Sequence, residues 1–261
     1  MRLRTWVIAV LLAGLAAVAT AGPDAAKSPY EKLDNTKLAD ALASNGMAAL
    51  LGALADELQT SNPNDAAYAA AQMYICQARV LTAEKDAKAK TELLNKAKEK
   101  LRAAVAAAKP ADPRELIKSY RYRLLLGDLQ ANIMMQQLFD RMLFLQSSQQ
   151  DRKTVVDATA APVKNLAALH TAIAETLSEW RKPANAATMV VLGNDMEELE
   201  LIVSHKLGYA ELCRGMAMDS ADQSARNRIL KDAISAVEPI TKQQDNENGM
   251  KYWAVLLSAQ A

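Results

Sequence analysis

Residues 101–110 read LRAAVAAAKP, and residues 230–239 read LKDAISAVEP. Leucine, a basic residue, a β-branched residue, a second alanine and a closing proline recur in register. Each stretch has the spacing of an amphipathic helix ended by proline, and each follows another helical segment. Two such echoes in one chain predict paired helices. Alanine makes up about a fifth of the chain, against two phenylalanines and nine glycines. Alanine seams let helix backbones approach closely, and valine-rich alternating runs are few. The expected class is all-α, built from antiparallel helix pairs, with a compact helical bundle as the alternative.

The first 21 residues form an export signal. Arg2 and Arg4 supply the positive start, residues 6–18 an uncharged apolar stretch, and Ala19-Thr20-Ala21 the small-x-small cleavage site. The apolar stretch is shorter than the roughly 20 residues that span a bilayer, so membrane attachment is expected only if the signal stays uncleaved. Cleavage before Gly22 takes the formal charge from +1 to −1, because no other charge precedes it. A near-neutral chain has no overall field to gather nucleic acid. The mature protein is expected outside the cytosol, periplasmic or extracellular. In that oxidising setting Cys76 and Cys213 are a candidate disulfide, with two small buried apolar residues as the alternative.

Residues 22–35 read as a flexible lead. An N-terminal helical region is expected over 36–182. Its helices fall at about 36–43, closed by Asn45-Gly46, then 47–58, 66–81 and 86–109. Pro113 opens a longer one running to about Leu138. On that helix Ile117, Tyr120, Leu124, Gly127 and Ala131 keep three-four spacing, and a second apolar set makes it central, touching two neighbours. Gly127 is expected at a close helix crossing. The stripe Val163, Leu166, His170, Ile173, Leu177 and Trp180 predicts another helix, which Pro162 either kinks or begins. Pro183, Gly193 and Asn194 mark an internal boundary, with Asn194 or Asp195 capping the next helix. A C-terminal helix-pair region is expected over 195–261. Its apolar close, Tyr252 to Leu257, needs burial under the preceding helices or continues a longer repeat array.

No residue set nominates catalysis. Phosphate loops, nucleophile elbows and His-Glu zinc motifs are missing, so the chain is read as no enzyme, with no metal and no cofactor. His170 sits on an apolar stripe and reads as a core histidine. His205 lacks a carboxylate three or four residues away, and the acidic residues at 195–200 are expected in a helix's first turns, meeting the dipole. The interaction-like stretch is Arg121, Tyr122 and Arg123, residue types enriched at binding hot spots. All three are expected to project away from the buried stripe that carries Tyr120.

Ala71 and Tyr74 in one helix, with Leu101, Ala104 and Pro110 in its partner, resemble a tetratricopeptide repeat. Leu230, Ala233 and Pro239 repeat the second half, and the closing Leu257-Ser258-Ala259-Gln260-Ala261 is similar to the start of another. The segment after Tyr74 is longer than that family's period of about 34 residues allows. The resemblance implies a right-handed α-solenoid whose concave surface binds peptides or proteins. The expected function is an exported scaffold mediating protein–protein interaction. A periplasmic helical-bundle module for ligand binding or sensing is the alternative.

Overall fold

The structure, a computed structural model, describes residues 34–143, 146–218 and 222–241. The expected export signal, most of the expected lead and the apolar close beyond 241 lie outside the described residues. The described chain is all-α, with no strand among the described residues.

Helix α1 is Asn35–Ser44 and α2 is Ala48–Leu58. Between them Gly46 takes a positive φ of 67°, the left-handed cap that its missing Cβ permits. Helix α3, Pro63–Arg79, starts earlier than the polar residues at 64 and 65 suggest. Pro63 occupies the first turn, where its missing N–H costs nothing. Helix α4, Ala87–Ala107, buries Leu94, Ala97, Leu101 and Ala104 at three-four spacing and leaves Pro110 beyond its end. Helix α5, Pro113–Asp128, is capped by the Asp112 carboxylate, which accepts from the amides of Arg114 and Glu115.

Here the continuous helix expected to about Leu138 is corrected. After Asp128 the chain widens into a π-helical turn, Leu129–Ile133, where the Met134 amide reaches back to the Leu129 carbonyl. A short helix α6, Gln136–Leu143, follows. A Ser148–Asp151 capping box then opens α7, Gln149–Trp180, which runs on through Pro162. Helix α8 is Ala186–Ala217 and α9 is Gln223–Thr241. Pro239 lies inside α9 and does not end it within the described residues.

The expected boundary at 182–195 is also corrected. A single 3-10 turn at Pro183–Asn185 joins α7 to α8, and both are 32-residue helices packed along each other. Gly193 and Asn194 are helical, because a helix held by a long apolar partner tolerates residues that would break an isolated one. The described residues from Asn35 onward form one compact unit.

Neighbours in sequence are sealed by apolar seams. The first core cluster joins α1, α2, α3 and α4 around Leu51, Ile75 and Leu101. The second joins α5, α7 and α8 around Leu166, Ile173 and Leu199. Helix α5 feeds both: Tyr122 enters the first cluster, while Ile117, Tyr120 and Leu124 enter the second. Its expected central place is what the structure has. At Gly127 a Cβ would stand 2.5 Å from Leu166 Cδ2, so this crossing requires glycine's bare backbone.

Candidate functional site

Alternate helices, in contrast, meet through buried polar groups. Asp40 on α1 accepts from Tyr68 Oη at 2.6 Å and Gln72 Nε2 at 2.8 Å, both on α3. Its other oxygen accepts from Arg121 Nη1 of α5 at 2.7 Å. One carboxylate thus ties three helices. Burial raises the Asp40 pKa, although Tyr68, Arg121 and Gln72 all pull it down. Burial likewise pushes the Tyr68 phenol well above its ordinary value, and Asp40 adds to the rise, so Tyr68 stays a donor.

Asp65, near the start of α3, is a second knot. It accepts from Tyr122 Oη, from Lys118 Nζ at 3.1 Å and from Asn35 Nδ2 at 3.0 Å. Burial lowers the Lys118 pKa, but Asp65 outweighs it and the net shift is upward, keeping the ammonium charged. The Tyr68 and Tyr122 rings lie 5.5 Å apart between the two knots.

A third joint links α5 to α8. Asp128 accepts from Asn132 Nδ2 at 2.8 Å and pairs with Lys206 Nζ at 3.2 Å, while Asn132 also donates to the Lys206 carbonyl at 3.2 Å. The π turn makes this possible by placing Asn132 against α8. Finally Lys37 of α1 pairs with Asp195 of α8 at 2.5 Å. The helices α1, α3, α5 and α8 therefore form a closed ring of polar joints.

Inside that ring is a groove of about 500 Å³, lined by these four helices and the π turn alone. Lys37, Asp40 and Arg121 stand on one side, and Glu198, Ile202 and Lys206 on the other. A smaller cavity of about 370 Å³ adjoins it at Arg79, Asp128, Ile133 and Lys206. The helices α2, α7 and α9 contribute to neither.

The sequence-derived site residues land differently from expectation. Arg121 and Tyr122 are 6% and 2% exposed, held by Asp40 and Asp65, so their expected outward projection is corrected. Their carboxylate partners supply charge-assisted hydrogen bonds that offset much of the cost of leaving water. Arg123 is half-buried over the Tyr120 ring, 5.7 Å from its centroid. Cys76 and Cys213 are free and buried in separate apolar clusters, which corrects the candidate disulfide. Cys76 donates to the Ala43 carbonyl, and burial pushes the Cys213 thiol up to about 12.

His170 is half-buried with Nε2 unpartnered, and burial lowers its pKa despite Glu200. His205 lines the smaller cavity, its pKa lowered by burial and by Lys206. The acidic residues at 195–200 lie in the third turn of α8 or beyond, because that helix starts at Ala186. Asp195 and Glu197 serve as partners for Lys37 and Arg181 instead of meeting the dipole. Among the described residues, no three His, Cys, Asp or Glu side chains gather as a metal site requires.

Sequence reasoning passed over Asp40, Asp65, Gln72, Asp128 and Asn132. A signal was present: Asp65, Tyr68 and Gln72 share one face of α3, as do Asp128 and Asn132 after α5. Polar residues at helical spacing inside apolar stripes mark buried joints.

No family model matches the chain, and neither a curated protein nor a solved structure is similar to it.

Proposed function

We propose that this chain is an exported, tetratricopeptide-like helical scaffold that binds another protein or peptide in the groove between α1, α3, α5 and α8. The observation that carries this reading is the division of labour among the helices. Alternate helices line the groove, and the helices between them make apolar seams behind it, as a stack of helix pairs requires. The groove walls carry both signs of charge with apolar floor between, a surface suited to a mixed polypeptide segment. Export rests on the signal-like residues 1–21, and no enzymatic step, cofactor or nucleic acid is called for.

A photo-crosslinking residue at Ala41 or Glu198, inside the groove, tests the reading in exporting cells. Controls sit at Glu99 and Lys100, on the solvated side of α4. Adducts with one partner from the groove positions alone are the expected result. Adducts from the α4 positions alone would overturn it.

The alternative, a helical ligand-binding or sensory module, is favoured by the Lys37–Asp195 joint, which closes the ring around the groove. A half-open space of this size, ringed by polar groups, suits a small molecule.

A further inference from the structure

We infer that the smaller cavity, between α3, α4, the π turn and α8, is a binding site for a small carboxylic acid with an apolar body. The inference deepens the ligand-binding reading of the ring and rests on it. The cavity holds about 370 Å³, in the range that encloses a small organic molecule. Its apolar surface comes from Ile75, Ala78, Leu94 and Ile133, the last carried there by the π turn. π turns are uncommon, and they recur at functional sites because they re-aim side chains that a regular helix would leave elsewhere.

Charge decides the ligand's sign. Three cations, Arg79, Lys90 and Lys206, line the cavity against one carboxylate, Asp128. Asp128 is already engaged, accepting from Asn132 on one oxygen and from Lys206 on the other. Arg79 and Lys90 make no ion pair or side-chain hydrogen bond among the described residues, and they approach from different helices, α3 and α4. Arg79 is exposed and Lys90 half-buried at the cavity's open side, so both are solvated, and an anion seated against the apolar surface gains two charge partners from different helices. The Asn132 amide fixes the cavity wall, since both its donor contacts are to oxygens and its orientation is thereby determined. A fatty or aryl acid satisfies both halves: its tail covers the apolar surface and its carboxylate lies between Arg79 and Lys90. A cation is excluded by like charge, and a neutral alcohol leaves the cations unanswered.

The test titrates octanoate, octanol and octylamine into the full mature protein, read by calorimetry and by shift of the melting temperature. Octanoate should bind and raise the melting temperature, with octanol at least about tenfold weaker and octylamine silent. Arg79→Ala with Lys90→Ala should weaken octanoate by about tenfold or more while leaving far-ultraviolet circular dichroism and the unliganded melting temperature unchanged. Lys90→Ala alone, half-buried and without an ion pair to lose, serves if the pair perturbs folding. Octanoate binding unaffected by these substitutions, or no tighter than octanol, would overturn the inference. Octanol or octylamine binding without octanoate sinks the acid site and leaves a ligand cavity standing. Silence from all three compounds sinks both, and none of these outcomes alters crosslinking from the larger groove.

Discussion

The seam between α3 and α4 and the wall formed by α1, α3, α5 and α8 do different jobs. The seam is alanine and leucine: Ala71, Ala78, Ala97, Leu101 and Ala104 are almost wholly buried and carry no polar atom to place. Its contribution is burial, which is non-directional and tolerant of small shifts. The wall is built on Asp40, Asp65 and Asp128, each gathering two or three donors from other helices. Such contacts contribute little net stability compared with an apolar replacement, but they are directional and costly to break singly. The lesson is that apolar burial holds all these helices together, whereas the polar joints fix how α1, α3, α5 and α8 are set around the groove. Only those four helices face the groove.

The sharpest way to break this comparison is to attack the seam. Leu101→Ala should cost about 2–5 kcal/mol in chemical denaturation, through lost burial and a cavity. A cost below about 1 kcal/mol would show that the seam is not the main source of stability. Asp65→Asn should cost less, about 1–3 kcal/mol, since Lys118 loses its buried counter-charge while Tyr122 can still donate. The two substitutions differ in kind as well as size: only the second should change how easily α1 amides exchange with solvent.

Glu211 sharpens the comparison from the other side. It is 8% exposed on α8, and its Oε2 lies 3.7 Å from Arg214 Nη1 with no hydrogen bond. Burial raises its pKa to about 7, Arg214 opposing and Asp232 adding to the rise. The folded state therefore holds a proton that the unfolded chain releases near pH 4.5, so this group's stabilising contribution fades as pH rises from about 4.5 to 7. Glu211→Gln should remove that decline, a difference of about 1–3 kcal/mol between the two ends of the window. Parallel pH profiles for both proteins would show that Glu211 is not a strained carboxyl.

Much of the fold was legible in the sequence because apolar spacing reports burial directly. The stripes on α5 and on α7 were read residue by residue, and Gly127 was placed at its crossing. Breaks were harder. Asn194 and Asp195 look like a cap, yet α8 runs through them because α7 packs along its whole length and overrides local preference. The π turn was invisible, since no glycine or proline within 129–133 marks it and the contact it allows, from Asn132 to α8, lies 74 residues away. The groove suffered most. Arg121 and Tyr122 were singled out as interaction-like but are buried in joints between helices, because a sequence does not state that Asp40, 81 residues away, will meet Arg121.

The central claim is that buried polar contacts between alternate helices hold the groove wall together. The measurement that tests it most directly is a double-mutant cycle on Asp65→Ala and Tyr122→Phe, followed by equilibrium denaturation. Both side chains are buried, on α3 and α5, and they share a hydrogen bond. The account predicts a coupling of about 1–3 kcal/mol between them. Additivity within about 0.3 kcal/mol would contradict it.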